Sequence, residues 1–136
     1  MSEQNNIQVV QAHLAAFGRG DIDGALAMVA EEVDWQSPVT RTPNDLMPWS
    51  AVRRTRAEVG QFFADLSAHA EPEAFEVFAV TAQGDRVVLE GRNRGRARST
   101  GRSYEHDWVM VLTVQDGLIV RARHYYDTAD VLAAFV

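Results

Sequence analysis

Residues 102–126 read Arg102-Ser103-Tyr104-Glu105-His106-Asp107-Trp108-Val109-Met110-Val111-Leu112-Thr113-Val114-Gln115-Asp116-Gly117-Leu118-Ile119-Val120-Arg121-Ala122-Arg123-His124-Tyr125-Tyr126. Two runs rich in β-branched and aromatic residues flank a short polar segment ending in Asp-Gly, the signature of a hairpin. In the first run the even positions are Tyr104, His106, Trp108, Met110 and Leu112, while Glu105 and Asp107 are odd. In the second the even positions are Leu118, Val120, Ala122, His124 and Tyr126, with Arg121 and Arg123 odd. A period of two therefore turns the even set of both strands inward. Like parity inward requires an even pairing sum. That predicts a three-residue loop, Gln115-Asp116-Gly117, with Gly117 in the left-handed position of a type I turn plus bulge.

Working outward, the same alternation predicts strands over 74–82 and 86–98, joined by Gln83-Gly84-Asp85 and followed by Ser99-Thr100-Gly101. Upstream the period changes to 3.6. Ile7, Val10, Leu14 and Phe17 predict a helix over 6–18, stopped by Gly18 and Gly20. Asp21 is placed to cap a second helix over 22–31 with Leu26, Val29 and Ala30 as its buried stripe. Residues 33–38 read as an extended arm, and 38–50, with Pro38, Pro43 and Pro48, as a loop. Thr55-Arg56-Ala57-Glu58 is a capping box opening a third helix over 56–69 that buries Val59, Phe62, Phe63 and Leu66. The tail from Thr128 has room for one helical turn. Helices first and an antiparallel meander afterwards give an α+β class: three N-terminal helices packed on a curved antiparallel sheet, in one domain spanning 1–136.

Composition narrows the chemistry. There is no Cys and no Lys among the 136 residues, which excludes disulfides, thiolate nucleophiles and Schiff-base or P-loop lysines. The net charge of −6 argues against nucleic acid as a partner. No apolar run reaches membrane-spanning length, and the start lacks signal-peptide character, so a cytoplasmic protein is expected. Arg92, Arg94, Arg96 and Arg98 share one strand face beside Glu105 and Asp107, which predicts a solvated ion-pair network, with an oligomer interface or anion patch as the alternatives. Gly91 and Gly95 on the opposite face suit a sharply bent strand.

Three of the four histidines, His13, His106 and His124, fall on inward faces, whereas His69 falls near a helix end at the surface. Inward imidazoles are either satisfied core residues or a polar spot in an apolar cavity. Trp35, Trp49, Phe63, Trp108, Met110 and Tyr126 are either plain core or the wall of such a cavity; Trp49, in a Pro-bounded loop, suits a lid. No His-x-His or His-x-x-x-His spacing supports a metal site, and Ser37 has no sequence-adjacent His to activate it.

Val9-Val10-Gln11 through Phe17, Gly20 to Leu26, Val33-Asp34-Trp35, and Asp116 to Asp127 together resemble the NTF2-like superfamily, specifically ketosteroid isomerase and the SnoaL-like polyketide cyclases. Thr100 to Tyr104 resembles a segment of limonene epoxide hydrolase. The resemblance implies a cone-shaped α+β barrel with a deep apolar pocket, as a homodimer. Residue by residue it also implies departures. The isomerase's oxyanion-hole Tyr falls on His13, its general-base Asp on Ser37 before Pro38, and its protonated Asp near Met110. The hydrolase's Arg and Asp residues fall on Gly91, Asn93 and His124.

The expected activity is therefore cofactor-independent and metal-free: an isomerase, cyclase-type lyase or hydratase on a small apolar carbonyl or polyketide-like compound. His124 is the expected base, with His13 or His106 and Tyr126 as hydrogen-bond donors, and with Asp127 as a nearby carboxylate. Trp35, Trp49, Phe63, Trp108 and Met110 are the expected substrate wall. The alternative is a non-catalytic dimer that binds a small hydrophobic molecule.

Overall fold

Ser2 accepts a hydrogen bond from the Asn5 amide (3.1 Å) and so starts helix α1 (Glu3–Gly18). The structure, a computed structural model, describes residues 2–41 and 45–136; Pro43 of the predicted loop lies outside them. Asp21 caps α2 (Ile22–Leu26) through the Gly24 amide (2.9 Å). This helix is shorter than predicted. Val29 and Ala30 belong to strand β1 (Val29–Gln36), where Val29, Val33 and Trp35 are buried. The β-branched and aromatic positions there pair with a neighbouring strand, and that pairing overrides a weak helical stripe.

The predicted loop contains a 3-10 turn, Pro48–Ser50, and is followed by a short strand that the sequence reading missed, β2 (Arg53–Thr55). Arg53 is buried. It donates from Nε to the Ala51 carbonyl (3.1 Å) and from Nη2 to Asp65 (2.9 Å), tying the loop to the next helix. That helix, α3 (Arg56–His69), opens on the expected box: the Glu58 amide donates to Thr55 Oγ1 (3.1 Å). The Glu58 carboxylate reaches back to the Arg54 amide (3.2 Å).

Four strands complete the chain: β3 (Ala70–Gln83), β4 (Arg86–Ala97), β5 (Ser103–Gln115) and β6 (Leu118–Tyr126). They are followed by α4 (Thr128–Ala134), longer than the single turn expected. Strand β3 begins four residues before the predicted start and runs through Pro72. A proline is tolerated there because β3 is an edge strand with a register shift at Pro72/Ala74. The sheet order is β2-β1-β6-β5-β4-β3. The α+β class holds, with one departure: β1 runs parallel to β6, so the six-stranded sheet is mixed rather than purely antiparallel. The Asp34–Arg123 ion pair (2.7 Å) joins the two parallel strands.

At the β5–β6 hairpin the turn differs from expectation. Gln115 pairs with Leu118, so the loop has two residues, and Asp116 (φ 52) and Gly117 (φ 78) both take left-handed conformations. This is the primed turn that matches strand twist. Inward parity is recovered one step later. Val114 pairs with Ile119 but Thr113 with Arg121, leaving Val120 as a bulge residue. Ile119, not Leu118 or Val120, is therefore fully buried, while Leu112↔Ala122, Met110↔His124 and Trp108↔Tyr126 restore even-to-even pairing.

The two glycines of β4 make room for aromatic side chains on β5. A Cβ on Gly91 would strike the Glu76 carbonyl oxygen and the Trp108 indole; one on Gly95 would strike the Tyr104 hydroxyl. On the other face Arg92 meets Asp107 (3.1 Å) and Glu105 (3.6 Å), exposed pairs that water screens. Among the described residues no helix is long and apolar enough to cross a membrane.

Candidate functional site

Strand β5 aims Tyr104 and His106 inward, and β6 aims His124 and Tyr126 beside them. The rings of Tyr104, His106 and Tyr126 stack in a row, 5.6 Å and 5.4 Å between centroids, each pair tilted 24°. His124 stands edge-on to Tyr126 at 4.9 Å.

His106 is 8% exposed and its Nδ1 lies 3.0 Å from Asp130 Oδ2 in α4. An ionised carboxylate only accepts, so Nδ1 carries the hydrogen and Nε2 keeps its lone pair. The same Asp130 oxygen accepts the Glu105 amide (3.0 Å), and the Asp130 amide donates to Asp127 (3.0 Å), which caps α4. Asp127 thus caps the helix that carries Asp130 and does not line the cavity itself.

His124 has no such partner. Its Nε2 is enclosed with no hydrogen bond among the described residues. Burial, and secondarily the neighbouring His106, push its pKa down to about 4. Tyr126 is pushed up to about 12, chiefly by burial. Its hydroxyl oxygen accepts a bond from Trp49 Nε1 (3.0 Å), which leaves the phenolic hydrogen to donate. Trp49 is itself 3% exposed, packs on Phe135 of the C-terminus, and closes this end of the interior.

These groups surround a cavity of about 60 Å³, walled further by Phe62, Leu66, Asn93, Val131 and Phe135. Outside it lies an open groove of about 370 Å³ bounded by Gln36, Val39, Arg41, Arg123 and Tyr125. Ser37 and His124 line both.

Of the residues singled out from sequence, the structure brings together His106, His124, Tyr126 and Trp49. His13 is elsewhere. It is buried among Trp35 and Phe63, its Nδ1 2.8 Å from the Ala25 carbonyl oxygen, and it lines neither cavity. Trp35, Phe63 and Met110 are core residues away from the cavity wall, and Trp108 touches the site only through the edge of His124. His69 is exposed, as expected. Sequence reasoning missed Asp130, Asn93, Tyr104 and the part played by Ser37. Tyr104 and Asn93 carried the correct inward parity; Asp130 gave no signal beyond its place in a helical tail. Among the described residues no three His, Asp or Glu side chains are grouped as a metal cage.

The profile of the SnoaL-like domain matches residues 10–122. An NTF2-like protein from Burkholderia xenovorans LB400 is 34% identical over 100% of this chain and 99% of its own, with a TM-score of 0.87. At lower identity the fold alone is shared with two further structures. One is TerC co-crystallised with polyporic acid (23% identity, 96% and 98% covered, TM-score 0.81). The other is a candidate polyketide cyclase from Silicibacter sp. TM1040 (21%, 98% and 97%, 0.78). No curated protein matches the chain.

Proposed function

The chain belongs to the SnoaL-like domain family, and from that premise we propose a cofactor-independent acid–base enzyme of the isomerase or cyclase type, acting on a small apolar carbonyl or polyketide-like compound. The roles differ from those expected from sequence. A base must carry the proton it takes. Burial destabilises a charged His124, whereas His106 has Asp130 at 3.0 Å to support an imidazolium. His106 Nε2 therefore takes a proton from the carbon next to the carbonyl, the C–H pair becomes the C=C bond of the enolate, the carbonyl π pair moves onto the oxygen, and Tyr126 O–H donates to that oxygen. Return of the proton at another carbon gives the isomer.

The His106–Asp130 pair at the wall of the cavity is the observation that carries this reading. The candidate polyketide cyclase of the same fold agrees with it. Deuterium wash-in next to the carbonyl of cyclohexanone in D₂O tests it without the natural substrate. Wild type should accelerate exchange, and His106→Ala should lose about 10²–10⁴ of that acceleration. No protein-dependent exchange overturns it.

The second reading is a non-catalytic binder of a small hydrophobic molecule. The apolar rings of Trp49, Phe62 and Phe135 on the cavity wall favour it, as does the polyporic acid co-crystallised with TerC. In either case the working unit is a homodimer. Exposed Phe78 on β3 and Tyr125 on β6, at 58% and 55%, supply apolar surface for a second copy. Sedimentation at micromolar concentration checks this.

A further inference from the structure

Four buried side-chain polar atoms lack a partner among the described residues: Asn6 Oδ1, Trp108 Nε1, Ser37 Oγ and His124 Nε2. The first two belong to residues that line neither cavity. The last two belong to the two residues shared by the inner cavity and the outer groove, so they mark the throat between them. Buried polar groups are nearly always satisfied, and one left without a partner is costly. Two at one throat call for a common partner.

The backbone here is held in a conformation that also needs a reason. Val39, two residues after Ser37, has φ 65, a left-handed value that is costly for a β-branched residue. Ser37-Pro38-Val39-Thr40 is a turn with Pro38 in the position it favours and Val39 where glycine is usual. Val39 stays because its side chain packs against the core, and the turn it completes leaves Ser37, 5% exposed, at the throat.

We propose that Ser37 Oγ and His124 Nε2 form one binding site for an uncharged oxygen of the ligand, a carbonyl or hydroxyl group, which passes from the groove to the throat of the inner cavity. This deepens the proposed function and rests on its pocket. Among the described residues, no Asp, Glu or Arg lines the inner cavity, and burial keeps His124 neutral. On the groove side Arg123 is already bound to Asp34, and Arg41 lines the groove but not the inner cavity. A carboxylate or ammonium group would enter the inner cavity without a counter-charge on its wall, whereas a neutral oxygen satisfies both orphaned atoms. Ser37 O–H donates; His124 Nε2 donates to a carbonyl as its N–H tautomer, or accepts from a hydroxyl as the other.

The test is an NMR titration of the His124 imidazole resonances with cyclohexanone, cyclohexanol, cyclohexanecarboxylate and cyclohexylammonium. The ketone and alcohol should give saturable shifts, with the two ions at least about 10-fold weaker. Ser37→Ala should weaken ketone binding about 5- to 10-fold, the worth of one uncharged hydrogen bond. Its Tm should be unchanged or raised, because an orphaned hydroxyl has gone, and Ser37→Thr should restore binding. Unchanged affinity in Ser37→Ala, a lowered Tm in that variant, carboxylate binding as tight as ketone, or no shift with any probe overturns the proposal. The proposed chemistry fails separately: Ser37-dependent binding without deuterium exchange removes the enzyme and leaves this site. Exchange that ignores Ser37 does the reverse.

Discussion

Two buried imidazoles in different parts of the interior invite comparison. His13, between Trp35 and Phe63, and His124, between Trp108 and Tyr126, are both ringed by aromatic groups, and burial lowers the pKa of both. They differ in one atom's partner. His13 Nδ1 is bonded to the Ala25 carbonyl and so fastens α1 to α2, whereas His124 Nε2 faces a cavity with nothing to bind. The first is an interior residue whose polarity has been used up in the fold. The second has polarity in reserve. Burial and the direction of the pKa shift do not separate these two histidines; hydrogen-bond satisfaction does.

The comparison breaks most readily at His13. His13→Ala removes an enclosed ring and its bond to the Ala25 carbonyl, which keeps the Met28 amide (3.3 Å), so unfolding by urea should show a loss of roughly 3 kcal/mol. A loss under 1 kcal/mol would mean that this imidazole fastens nothing.

Acidity sharpens the comparison next. His124 in the folded protein titrates near pH 4, below the ordinary 6.5 of an unfolded chain. Between those values the unfolded chain takes up the proton first. Stability is thus intact above about pH 6.5 and falls as the pH drops through about 4, by on the order of 3 kcal/mol for this group. His13, also shifted down, adds a loss of the same sign. Measured from pH 7 to 4, His124→Phe should be less acid-sensitive by about that amount, while at pH 7 it is as stable as wild type or more so, since no bond is lost and an unpartnered nitrogen has gone. Equal acid sensitivity in both proteins would refute the assignment.

The smallest effect concerns the closure over the cavity. Trp49→Phe keeps the aromatic packing on Phe135 but deletes the bond to the Tyr126 hydroxyl, at a cost of about 1 kcal/mol. Thermal unfolding measures it, and an unchanged Tm would show that Trp49 closes this end by packing alone.

Sequence reading reached further into the fold than into the site. Alternation placed Tyr104, His106, Trp108, Met110 and Leu112 inward, and all five are buried. The even pairing of β5 with β6 was also correct, although the bulge at Val120 enforces it and not the turn. A short apolar stretch such as 29–36 carries little periodic signal, so its parallel pairing with β6 stayed hidden; parallel contacts are remote in sequence. For the site the limit is geometric. Periodicity tells which side of a strand or helix a residue faces, not how far along the interior it sits. His13, Trp35 and Phe63 face inward as truly as His106 and Tyr126, yet at a different level. Asp130 and Phe135 arrive only when the C-terminal helix docks, a long-range event with no local pattern.

The glycines of β4 bear on how the cavity came to have its size. Because Gly95 lies directly across from Tyr104, and its missing Cβ is where the phenol hydroxyl sits, the position of that wall is set by a residue that never touches the cavity's contents. A methyl group added at Gly95 would push the ring toward the cavity, whereas one at Gly91 would first strike the Glu76 carbonyl oxygen and disturb the pairing of β3 with β4. The Tyr104 wall can therefore be moved from behind, by the strand that backs it, with every residue lining the cavity left unaltered.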